Sequence, residues 1–150
     1  MLAETIQLET LRQKIEDVEY EAGSQSDYLD RGGPNPAQVR QAQTRIDKMN
    51  RQSQMLKAEL KELIARVRVQ QPQAIEEWVN YHVGILQKIA DEKTTGTMEA
   101  VRRSVAKTTI QEWEKVRAGE QEYVTINWYY LKDYKSHVRK MGKAWWQFWK

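Results

Sequence analysis

The chain has 150 residues, no cysteine, two histidines and a formal net charge of +3, with 40% apolar and 30% charged residues. A chain of this length forms one domain, or a small domain with a projecting element. Without cysteine, disulfides, thiolate nucleophiles and thiolate metal sites are excluded. A mean hydropathy of −0.83 fits long helices with a thin core. Three prolines and seven glycines leave room for such helices.

Residues 2–22 predict the first helix. Leu8, Leu11, Ile15, Val18 and Ala22 repeat in steps of three and four, the spacing of one helical face. Glu9, Glu16, Glu19 and Glu21 are expected on its flanks, and Gly23 as its stop. Residues 23–36, with Gly32-Gly33-Pro34 and Asn35-Pro36, read as a long loop in which Tyr28 and Leu29 could fold back.

The stretch that organises the chain follows. Val39, Ala42, Ile46, Met49, Ser53, Leu56, Leu60, Leu63 and Val67 form a seam of about four heptads, with Ser53 as its only polar member. A helix from residue 36 or 37 to Val69, ended by Pro72, would be about 50 Å long at 1.5 Å per residue. Residues 1–36 carry eight acids and three bases, and residues 37–71 eight bases and three acids. This predicts an antiparallel coiled-coil hairpin with complementary flanks. The first helix is too short to cover the second, so Leu56, Leu60, Leu63 and Val67 need cover from the C-terminal helices or from another chain, and are candidate partner-binding residues.

A third helix is expected over residues 74–92, with Ile75, Trp78, Val79, His82, Val83, Leu86, Ile89 and Ala90 on one face. Gly84 would permit a close crossing. A fourth runs from an N-cap at Thr97 to Ala118, closed by Gly119, with Met98, Val101, Val105, Thr108 or Thr109, Trp113 and Val116 inward. Residues 120–142 contain YVTINWYYL, a strand-like composition. No second strand is at hand, and Val124, Trp128, Leu131, Tyr134, Val138 and Met141 keep helical spacing, so a fifth helix is expected. The fold class is therefore all-α: residues 1–71 as the hairpin, 72–142 as a small three-helix, Trp/Tyr-rich bundle, and 143–150 as an aromatic tail.

No constellation points to catalysis. No Gly-rich phosphate loop or nucleophile elbow is present. Asp133 and His137, four apart, could offer two metal ligands but read as a surface pair, and His82 reads as a core histidine. No catalytic residue, metal or cofactor is assigned. The tail residues Trp145, Trp146, Phe148 and Trp149 could pack on the bundle, anchor in a neighbouring subunit or lie at a bilayer interface. Basic residues interleaved with aromatics, namely Lys132, Lys135, Arg139, Lys140 and Lys143, offer a nucleic-acid surface.

The expected function is that of a non-enzymatic structural or adaptor subunit of a larger assembly, homo- or hetero-oligomeric, in a virion or similar machine. A nucleic-acid-binding accessory protein is the alternative. With no signal peptide and no membrane-spanning run, a cytoplasmic or intravirion setting is expected.

Overall fold

The computed structural model describes residues 1–31 and 35–148, with side chains described as far as Lys140. Five helices follow in order: α1 (Ala3–Asp30), α2 (Pro36–Gln70), α3 (Pro72–Ala90), α4 (Thr97–Ala118) and α5 (Lys132–Phe148). The described residues are otherwise turns and irregular segments, so the protein is all-α.

Helix α1 does not stop at Gly23 but continues for seven residues. Glycine in an exposed helix interior costs only about 1 kcal/mol, and Ala22 just before it is buried. The predicted long loop therefore shrinks, and Tyr28 is helical and exposed instead of folded back. Asn35 caps α2 through a reciprocal pair: its side chain accepts from Gln38 N–H (2.9 Å), and Gln38 Oε1 accepts from Asn35 N–H (3.1 Å). Pro36 takes the first helical turn, where its missing N–H costs nothing.

The seam of α2 holds at Ala42, Ile46, Ser53, Leu60 and Val67, all buried. Ile64 is buried too, while Val39 at the helix start is 39% exposed. On α1, Leu8, Leu11, Ile15 and Ala22 are buried as the spacing predicts. One core joins Leu8, Leu11 and Ile15 to Leu60, Ile64 and Val67 and runs on through Ile75, Trp78, Leu86, Trp113, Val116, Val124, Leu131 and Tyr134.

Helix α3 buries the predicted face except Val83, which is half-buried. Gly84 lies in open space and serves no close crossing. Helix α4 is capped by Gly96, not Thr97, and Met98 is exposed while Ala106 takes a place inside. Gly119 ends α4 in the left-handed region (φ +83°), where an L side chain would be strained. Arg68 of α2 closes that end from outside, donating to the carbonyls of Val116 (3.0 Å) and Arg117 (3.2 Å).

Residues 119–131 are not helical, contrary to the sequence expectation. Val124 and Ile126 are buried and Thr125 is exposed, a period of two that the helical spacing of Val124, Trp128 and Leu131 disguised. Asn127 then turns the chain: its side-chain oxygen accepts from Tyr129 N–H (3.1 Å) and Tyr130 N–H (3.2 Å), and its carbonyl accepts from Leu131 N–H (2.8 Å). Helix α5 starts only after this turn, and Trp128 is left half outside.

Candidate functional site

Next to its aliphatic stripe, α1 carries a second one: Thr5, Glu9, Arg12 and Glu16, spaced four, three and four, all buried. Glu9 and Glu16 are thus not flank decorations. Arg12 is fully enclosed and holds both carboxylates. Its Nε and Nη2 donate to Glu9 (each 2.8 Å at the nearer oxygen), and Nη1 donates to Glu16 Oε2 (2.9 Å) and to the Val124 carbonyl (3.4 Å). Helices α3 and α5 reach this stripe directly, and α4 reaches it through His82. From α3, Trp78 Nε1 donates to Glu9 Oε1 (3.1 Å), and His82 Nε2 lies 2.6 Å from the same oxygen. Trp113 of α4 stacks flat on His82, ring centroids 4.0 Å apart. From α5, Tyr134 Oη lies 2.5 Å from His82 Nδ1, and Arg139 donates to Glu16 (2.7 Å) and Asp17 (2.6 Å).

The electrostatics follow from burial and pairing. Burial opposes charge on Glu9, but the Arg12 guanidinium and His82 outweigh it and hold the carboxyl well below its usual range. Glu16 is lowered in the same way, burial being overcome by Arg12, Arg139 and Lys135. Burial pushes the His82 imidazole down, against the partial pull of Glu9, so it is neutral at pH 7. With Glu9 an anion, Nε2 carries the hydrogen and donates to it, and Nδ1 accepts from the Tyr134 hydroxyl. Burial lifts the Tyr134 phenol well above its ordinary range.

A carboxylate, an imidazole and a phenol in line are the parts of a proton relay. Here Glu9 is 7%, His82 0% and Tyr134 1% exposed, and Trp78 and Trp113 fill the space around them. The arrangement joins α1, α3, α4 and α5 and leaves no room for a substrate beside the imidazole. Glu16, itself buried, borders the surface. With Lys135 it lines a groove of about 310 Å³ between α1 and residues 119–131, whose other walls include Glu19, Tyr20, Asp27, Tyr123 and Trp128. Tyr20 and Trp128 are 58% and 54% exposed there. A second, polar hollow of about 480 Å³ lies near the turn between α1 and α2, lined by Ser24, Tyr28, Gln38 and Arg45.

The residues singled out from the sequence are dispersed. Leu60 and Val67 are sealed inside the chain's own core, and Leu56 and Leu63 are half-buried against it. Helices α1 and α3 of the same chain pack along α2 there, and the chain's own later helices were one of the two sources of cover the sequence left open. Lys135 and Arg139 are committed to Glu16, and Lys135 also lies over the Tyr20 ring (5.2 Å to its centroid). Lys132 and Lys140 are exposed. Lys143, Trp145, Trp146 and Phe148 lie outside the described side chains, and Trp149 outside the described residues. Asp133 pairs with Arg102 (3.4 Å), not with His137, and no metal-holding cluster occurs among the described residues. No described helix is long and apolar enough to cross a membrane.

Sequence reasoning placed His82 inside but missed the stripe that meets it. The available signal was the spacing of Glu9, Arg12 and Glu16, which an exposed helix with ordinary i, i+3 and i, i+4 charge pairs would share. Comparison with family models, with curated proteins and with solved structures finds no match to this chain.

Proposed function

We propose that the protein is a non-enzymatic structural or adaptor subunit of a larger assembly, and that the groove between α1 and residues 119–131 grips a neighbouring subunit. The observation that carries this reading is the pair Tyr20 and Trp128, more than half exposed on the walls of one groove that Tyr123 and Ile126 also line. Tyrosine and tryptophan bring large apolar area and a polar tip at low entropic cost, and they dominate interface hot spots. The enclosed Glu9–His82–Tyr134 chain supports the non-enzymatic part, because its groups are spent on holding four helices together. The first partner to test is a second copy. Light scattering on the full chain should give a mass above 17.8 kDa near 100 μM. Tyr20→Ala with Trp128→Ala should return it to the monomer with unchanged helicity. A wild-type monomer over the whole range, or an oligomer indifferent to both substitutions, would remove the groove from this role.

A further inference from the structure

Acidic α1 and basic α2 predict two helices laced by charge, and the structure largely withholds that lacing. Between them, among the described residues, the ion pair is Lys57–Glu19 (2.5 Å). Glu9, Glu16 and Asp17 turn instead to Arg12, Lys135 and Arg139. The bases of α2 are left over. Arg40, Arg45, Lys48, Arg51, Lys61 and Arg66 are exposed, and none has an ion pair or side-chain hydrogen bond among the described residues.

Their placement is ordered. At about 100° per residue, Arg40, Thr44, Lys48, Arg51 and Met55 share an arc about 80° wide, directly opposite the buried seam of Ala42, Ile46, Ser53 and Leu60. Arg45 stands about 60° beyond one edge. At the other edge Asp47 is engaged by Gln43 (3.0 Å), and no further acid reaches this side before Glu59. Three cations thus stand along about 16 Å of helix axis, from Arg40 to Arg51.

The chemistry of this face selects its partner. A protein interface needs an apolar or aromatic centre, and the arc offers only Met55. A bilayer surface needs an apolar face to sink into the acyl boundary, and α2 has turned its own toward α1. A nucleic-acid backbone needs only cations at intervals, each displacing a condensed counterion. We infer that the outward face of α2, Arg40, Lys48 and Arg51 with Arg45 beside them, binds the phosphate backbone of nucleic acid without reading its sequence. The surface shares no residue with the aromatic groove, so it stands or falls separately from the docking role.

The test is fluorescence anisotropy of a labelled 20-base-pair DNA duplex of arbitrary sequence, titrated with the full chain from 50 to 200 mM salt. Log affinity should fall linearly with log salt, with a slope of about −3 to −4 for three or four neutralised phosphates. Arg40→Ala, Lys48→Ala and Arg51→Ala should each flatten that slope by about 1. Lys48→Glu with Arg51→Glu should abolish binding at 100 mM salt. Lys132→Glu with Lys140→Glu, the same change of net charge at exposed sites on α5, should leave it in place. All these side chains are exposed, so thermal melts should be unchanged. No anisotropy change at 50 mM salt would overturn the inference. So would equal loss in the two charge-reversed proteins, or capture by vesicles containing 30% phosphatidylserine without binding to the duplex.

Discussion

From Thr5 to Glu16, α1 is covered on two sides. Leu8, Leu11 and Ile15 share a core with Leu60, Ile64 and Val67 of α2, and Glu9, Arg12 and Glu16 meet α3, α5 and the Val124 carbonyl. From Ala22 to Asp30 the same helix buries one side chain, Ala22, and the facing turns of α2 bury Ala42 and Ile46. The heptad spacing runs through both halves, but what it is worth differs. A well-buried Leu or Ile contributes about 1.5–3 kcal/mol, whereas an alanine contributes a single methyl. Spacing decides where two helices touch. Side-chain size and the number of further neighbours decide how firmly, and here the firm half is the one that α3 and α5 also cover.

The sharpest way to break this comparison is at Arg12. Arg12→Ala leaves Glu9 and Glu16 enclosed without their counter-charge, a situation that costs about 3–5 kcal/mol. Urea unfolding followed by far-UV circular dichroism reads it directly. Arg45→Ala, on the thin half, removes an exposed side chain and should stay within about 0.5 kcal/mol of wild type. If the two substitutions cost the same, the polar stripe is not what holds the thick half.

Acid probes the same stripe less severely. His82 has its folded pKa lowered, so between that value and about 6.5 the unfolded chain takes up a proton that the folded chain refuses. Stability is therefore complete above about pH 6.5 and falls as pH drops through the folded value. Glu9 and Glu16 are also lowered, so their contributions are present above about pH 4.3 and are lost below it. The three act in one direction: the melting temperature should be level from pH 8 to 7, decline below 6.5, and decline again below 4.5. His82→Gln should remove the first decline and keep the second. A native protein equally stable at pH 7 and pH 5 would contradict the neutral, enclosed imidazole.

The two halves also differ in how far the sequence revealed them. Aliphatic positions were legible because burial of Leu, Ile and Trp leaves a period: Leu8, Leu11, Ile15, Leu60, Trp78 and Leu86 all lie where the spacing puts them. The polar stripe was not, because the helix code for a buried Glu–Arg–Glu and for an exposed one is the same, and only the Trp78, His82 and Tyr134 side chains across the gap tell them apart. Gly23 misled because one glycine in an exposed helix interior costs only about 1 kcal/mol and does not by itself end the helix. Residues 123–126 misled because a lone extended segment needs no second strand when Arg12 takes one of its carbonyls. The aromatic groove could not be seen at all, since Tyr20 and Trp128 stand more than a hundred positions apart.

Hydrogen exchange compares the halves without substitution. Amides of residues 40–50 are expected to exchange through local opening, at least about tenfold faster, after correction for intrinsic rates, than those of residues 60–67, which should open only with global unfolding. Equal protection along α2 would mean that the helix opens as one unit and that the thin seam is reinforced.

Two glycines sharpen that point at the smallest scale. Gly23 and Gly84 both lie in helix interiors, both are exposed, and a Cβ built on either meets no atom within 4 Å. Alanine at each should stabilise its helix by about 0.5–1 kcal/mol, chiefly by narrowing the unfolded ensemble. The readouts should differ. Gly84 sits in α3, whose other face is built into the main core, so Gly84→Ala should raise the global melting temperature. Gly23 sits where α1 has α2 on one side and the open groove toward residues 119–131 on the other, so Gly23→Ala should slow exchange of the amides around it and around residues 40–50 while moving the melting temperature less. If Gly23→Ala raises the melting temperature as much as Gly84→Ala does, the thin half unfolds together with the thick one, and the division between them is one of packing alone.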